Sequence, residues 1–180
     1  GSLQGAWPPL TYLASAGAQK IFGRSLLAEA VLTTGAVAVA AGLTMAAGAN
    51  LTGVAALGAA AALISVAPSV KLYGYARPLL FSLLLLLVFR YADRPSVRRL
   101  VPVSVALSLA FLLRHDYAAY LGIAVVAGIG ALHRYEPALA VKRVLWCAGL
   151  SILLLLPTVL IVHNLVGIGA YLETARTVMR

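Results

Sequence analysis

Six continuous apolar blocks, each closed by a short gap rich in Arg, Lys, Pro or Asn, constrain this chain more than any other feature. The blocks run from Ser25 to about Ala47, Leu51 to Ala67, Pro78 to Val88, Leu100 to Leu113, Tyr117 to Leu132 and Val144 to Val162. Crossing a bilayer takes about 20 apolar residues, or fewer where flanking side chains snorkel. The blocks do not alternate with period two, so an outer-membrane barrel is excluded. The expected fold is all-α: a polytopic transmembrane bundle of about six spanning helices, with interfacial helices at both ends. The third to fifth spans are short and should tilt little, and Pro157 should kink the sixth. Hydrophobic residues make up 62% of the chain and charged residues 11%, with a mean hydropathy of +0.98. A soluble domain has roughly 45–50% apolar and about 25% charged residues, so too little polar side chain is present to cover a water-facing surface.

The ends read differently. Pro8 to Phe22 is too short to span and carries Gln19 and Lys20. Its opening, Trp7-Pro8-Pro9, suits a helix lying at the interface, because Pro is tolerated in a first turn and Trp favours headgroups. The segment from Gly167 to Arg180 is amphipathic and also reads as interfacial. A single transmembrane unit is therefore expected, with residues 1–24 leading in, 25–163 forming the bundle and 164–180 opening the next outer segment. Gly1-Ser2 starts without a basic n-region or a cleavage site, and Arg180 falls inside a polar-faced helix. The expectation is a central piece of a longer protein. One cysteine, Cys147, excludes an internal disulfide and reads as a small hydrophobe.

Lys and Arg number 14 against 5 acids, a net charge of +9. These cations sit in the gaps between apolar blocks and form no stripe on a polar face, so they suit membrane lipid headgroups and not nucleic acid. Arg90, Arg94, Arg98, Arg99, Arg134, Lys142 and Arg143 fill two short loops, which the positive-inside rule places in the cytoplasm. The opposite face collects as many: Lys20, Arg24, Lys71, Arg77, Arg114, Arg176 and Arg180. The denser loops decide the orientation, and the outer face then needs its own reason to be basic.

Arg114-His115-Asp116 is the sharpest candidate, because it joins two spans with almost no loop and holds three ionisable groups at one membrane face. Arginine binds phosphate through a planar fork, and a neighbouring Asp is kept ionised by that charge. The plainer reading is a hairpin tip whose Arg and Asp neutralise each other. Lys71, Tyr73, Tyr75, Arg77, His163 and Glu173 share this face; the tyrosines also suit an aromatic belt. His115, Asp116, His163 and Glu173 lack tight metal-ligand spacing. Glu29 lies inside an apolar span, where a carboxylate turns to a cavity or a partner; Arg24 or Lys20 is the expected partner. Asp93 and Glu136 should pair with loop arginines. Gly128-Ile129-Gly130 follows no strand and is not a dinucleotide loop, and neither a Ser-His-Asp order nor a Cys-x-x-Cys exists.

Several stretches, in order, resemble the GT-C glycosyltransferases. Trp7-Pro8-Pro9-Leu10-Thr11-Tyr12, running to Phe22-Gly23, resembles the Pro-Pro-Leu segment that closes their first extracytoplasmic loop. Lys71 to Pro95, with Arg90-Tyr91-Ala92-Asp93-Arg94-Pro95, resembles the loop, helix and Arg-Tyr-x-Asp-Arg-Pro turn of bacterial members. Phe111-Leu112-Leu113-Arg114-His115-Asp116-Tyr117 resembles their Phe-x-x-Arg-His-Asp segment, and Tyr171-Leu172-Glu173 echoes the start of the next outer loop. The family includes protein O-mannosyltransferases and aminoarabinose transferases. The resemblance implies inverting transfer of a sugar from a polyprenyl-phosphate carrier to an acceptor at the periplasmic face of a bacterial inner membrane. It implies that Arg114 contacts the carrier phosphate, with Lys71, Arg77, Tyr73, His115 and Asp116 around it. No cofactor is implied for this chain, though the intact enzyme leaves room for a divalent metal.

The departures matter. The family's acidic catalytic residue lies upstream of the Pro-Pro-Leu segment, and no acid precedes Glu29 here. Trp7 stands where some members have Lys, and Glu29 where members often carry Arg. The rest of the parent chain would supply the base, and this piece alone should not catalyse transfer. Two other classes remain open: a transporter or channel subunit with Glu29 and Asp116 as a relay, and a non-catalytic membrane scaffold.

Overall fold

Helix formation in this chain follows the apolar blocks, but the turns fall where local chemistry allows them. The structure, a computed structural model, describes residues 9–67 and 76–165. Among these residues it is all-helical: α1 (Pro9–Phe22), α2 (Leu26–Thr52), α3 (Ala55–Val66), α4 (Ala76–Asp93), α5 (Val97–Leu113), α6 (His115–Leu132) and α7 (Pro137–Leu165). Each expected span meets one of α2 to α7. Three of the described helices are long and apolar enough to cross a membrane, α2, α6 and α7, which is fewer than the six expected. The reason is plain for the others. The 12 residues of α3 extend only about 18 Å at the helical rise. Three charges, Arg77, Arg90 and Asp93, fall within α4, and 17-residue α5 opens on Arg98 and Arg99.

Boundaries also move. Helix α2 does not break at Gly48-Ala49-Asn50 but continues to Thr52, and the turn comes at Gly53 with φ +70°. That left-handed conformation suits glycine. Gly48 serves another purpose, since a Cβ there would lie 2.9 Å from the Gly58 Cα, and one at Gly58 would lie 2.8 Å from the Ala49 nitrogen. Helices α2 and α3 therefore cross backbone to backbone, which only small residues permit. Arg90-Tyr91-Ala92-Asp93, expected as loop, completes α4. Tyr91 is 2% exposed, and its hydroxyl meets His133 Nε2 at 2.8 Å. Helix α7 starts at Pro137 and runs through Lys142-Arg143 and on through Pro157.

Helix α5 is the centre. Leu100, Val103, Ala106 and Ala110 are buried against Leu80 and Leu84 of α4, Leu121, Val125 and Ile129 of α6, and Cys147 of α7. Its seam with α7 is a ladder of small polar groups. Ser104 Oγ donates to the Leu100 and Cys147 carbonyls, Ser108 Oγ to those of Ser104 and Ser151, and Ser151 Oγ to that of Cys147. Such back-bonded hydroxyls let helices approach closely and cost little in an apolar setting. Outward faces are apolar, with Leu63, Ile64, Ile123, Leu145 and Ile152 all largely exposed.

Candidate functional site

Between α5 and α6 lies a single non-helical residue. Arg114, in extended conformation, ends one helix through its N–H to the Ala110 carbonyl at 2.7 Å and starts the next through its own carbonyl to the Ala118 N–H at 3.2 Å. Asp116 then falls in the first turn of α6, where the helix dipole favours an anion. It accepts a fork from Arg114, Nε to Oδ1 at 3.0 Å and Nη2 to Oδ2 at 2.7 Å. The guanidinium carbon sits 4.3 Å from the centroid of the Tyr117 ring, and Phe81 of α4 meets that ring edge-on at 6.2 Å. His115 packs edge-on against Phe111 at 4.7 Å. The hydrogen bond to Asp116 raises the Arg114 pKa above its ordinary value, so the cation is permanent.

Arg114 is thus oriented from two sides, by a carboxylate and by an aromatic face. Its Nη1 has no hydrogen bond to a described residue. This is the neutralised hairpin tip and the preset arginine at once: the ion pair is half-exposed, and its outer edge remains open to a ligand.

Register shows how far the neighbouring helices extend past the turn. The Ser104–Cys147 and Ser108–Ser151 bonds share one offset, so α5 and α7 run parallel and Leu113 is level with Leu156. Helix α7 then continues to Leu165, about 13 Å beyond the turn. The Thr44–Ser82 contact at 2.7 Å leaves the start of α2 about 18 Å beyond that of α4 at the helical rise. Helix α1 begins its climb at the same level, with Thr11 Oγ1 donating to the Leu113 carbonyl at 2.8 Å. Helices α1, α2 and α7 therefore extend past the level of Arg114, whose side chain stays half-exposed.

An apolar cleft of about 290 Å³ lies between α5, α6 and α7, and Arg114 is not among the residues that line it. Leu107 and Phe111 of α5 form its floor, Ala118 and Val125 of α6 one wall, and Cys147 and Leu155 of α7 the other. Phe111, which carries His115, and Ala118, the turn's first bonded amide, mark the end of the cleft nearest Arg114.

The remaining candidates are scattered. Arg77 is exposed in the first turn of α4, at the same end as Arg114 but without a described contact to it. His163 is exposed near the end of α7. Lys71, Tyr73, Tyr75 and Glu173 lie outside the described residues. Among the described residues no group of three His, Cys, Asp or Glu could hold a metal. Asp93 and Glu136 make no ion pair with a described arginine; the Arg99 guanidinium instead donates to the Arg90 carbonyl. Glu29 does not pair with Arg24 or Lys20 either. It is 4% exposed and accepts hydrogen bonds from Ser15 Oγ and, at 3.1 Å, from Gln19 Nε2. Sequence reading missed those partners, although Thr11, Ser15 and Gln19 recur every four residues along one face of α1.

No protein-family model, curated protein or solved structure matches this chain.

Proposed function

We propose that this chain is the central part of a polytopic membrane glycosyltransferase that takes its sugar from a polyprenyl-phosphate donor. The observation that carries the reading is Arg114, permanently charged and braced by Asp116 and Tyr117, at the turn between α5 and α6, two helices that also line an apolar cleft. An isoprenoid phosphate has this two-part chemistry, an anionic head and an apolar tail. The GT-C resemblance of the Arg114-His115-Asp116 segment supports the same class. On this reading α3, α4 and α5 cross the membrane as well, with Arg77, Arg90, Arg98 and Arg99 snorkelling to its faces, and the Arg114 face is extracytoplasmic.

In the intact enzyme an acceptor hydroxyl attacks the anomeric carbon as the bond from that carbon to the carrier phosphate oxygen breaks. The acceptor's proton passes to an acidic residue supplied by the rest of the parent chain. Negative charge grows on the departing phosphate, and Arg114 stabilises it through its open edge. Asp116 keeps the guanidinium aimed.

The test compares the full-length parent with its Arg114→Ala form for binding of a polyprenyl-phosphate sugar and for transfer. Unchanged affinity and turnover would sink the assignment. The transporter reading is less well supported, because Asp116 is tied to Arg114 and not free to relay a proton. A scaffold has no use for the cleft.

A further inference from the structure

Helix α1 bonds to α2 through Ser15 and Gln19, spaced four residues apart, which both reach Glu29; Thr33 follows Glu29 by four residues along α2. Their bonding is lopsided. Oε1 of Glu29 receives both donors, Ser15 Oγ and Gln19 Nε2. Oε2 is buried and has no partner, and neither has the buried Thr33 Oγ1. The second orphan is the more telling. Thr44 and Thr52 of the same helix bond back to the carbonyls four residues earlier, at 2.9 and 2.8 Å. Thr33 forgoes that local bond, the usual fate of a helical threonine hydroxyl. No Lys or Arg lies within 4.0 Å of Glu29 among the described residues.

We propose that the α1–α2 seam binds a small monovalent cation between Glu29 Oε2 and Thr33 Oγ1. A buried carboxylate without a counter-charge is costly, so something neutralises it. A proton on Oε2 would answer the charge but turn one orphan acceptor into an orphan donor, because no hydrogen bond joins it to Thr33 Oγ1. A bound water would answer both oxygens and leave the charge. A monovalent cation does both. The donor set is all oxygen, which selects a hard ion, and a single carboxylate gives too little charge for a divalent one. Ser15 Oγ and the Gln19 amide are the neighbouring groups able to complete its shell. The ion fastens α1 to α2 beside the α5–α6 turn, which α1 reaches through the Thr11–Leu113 bond. It depends on no view of what Arg114 binds.

The experiment uses the full chain in lipid nanodiscs and follows its thermal unfolding midpoint in NaCl, KCl or choline chloride at equal ionic strength. An ammonium chloride arm distinguishes an alkali ion from a protonated amine. With the ion at about ten times its dissociation constant, the midpoint should rise by about 3–5 °C over choline. Thr33→Val should lose most of that rise and Glu29→Gln all of it. The proposal is overturned by equal midpoints in all salts, by a full response in Thr33→Val, or by an infrared band of protonated carboxyl that persists in saturating cation. If Glu29→Gln does not fold, Thr33→Val and the infrared band still decide the matter.

Discussion

The α5–α7 seam and the α1–α2 seam are both lines of polar side chains in an apolar bundle, yet they are built to opposite rules. Along α5–α7 each of the serines Ser104, Ser108 and Ser151 has its hydroxyl bonded to carbonyls of its own helix and of its neighbour. Nothing is left over, so the seam's work is packing. Along α1–α2 the donors crowd onto one carboxylate oxygen and leave Glu29 Oε2 and Thr33 Oγ1 open. Arg114 repeats the second pattern, because two of its nitrogens are engaged and the third has no partner among the described residues. Complete bonding marks structure, and spare valence marks places able to take a ligand. Arg143 tests the rule from the far end, where its buried Nε is also unpartnered.

The comparison can be broken at several points. The largest expected effect is on transfer by the full-length parent, where Arg114→Ala should lower turnover by about 100-fold or more, as for loss of a donor to a developing oxyanion. Asp116→Asn should cost less, since Tyr117 still braces the guanidinium. Next is the α2–α3 crossing, closed so tightly that Gly58→Val should destabilise by about 1–3 kcal/mol, read as a lowered unfolding midpoint. In the completed seam, Ser104→Ala should cost about 1 kcal/mol, the ordinary worth of a buried interhelical hydrogen bond. Thr33→Val, measured in choline, should cost the least, within about 0.5 kcal/mol, because no bond is lost. A Thr33→Val cost equal to that of Ser104→Ala would erase the distinction between the seams.

Much of the architecture was legible in the sequence. Continuous apolar blocks bounded by Arg, Pro and Gly specify helices and their order, because helix formation depends on local periodicity and on residues that stop it. The Arg114-His115-Asp116 turn was legible for the same reason: two apolar blocks abut it, so the chain must reverse within three residues, of which the structure uses one. Turn positions were less so. Gly48 looked like a breaker, yet its neighbour Gly58 makes it a contact, and the left-handed turn falls to Gly53. Tyr91 looked like a loop residue until His133, 42 positions away, gave its hydroxyl a partner.

The sequence by itself determined that the chain is helical, lipid-suited and reversed sharply at Arg114, since each follows from composition and spacing within a few turns. Only the tertiary structure decided that α2 and α7 run past the level of Arg114, because register depends on how far helices slide past their neighbours. Only it decided that Glu29 faces Ser15 and Gln19 and not the nearby cations Lys20 and Arg24. A short sequence separation does not bring side chains together across the turn at Gly23, whereas the fold-back of α1 does. Helix periodicity is a local property; register and bonding completeness are set by packing between helices.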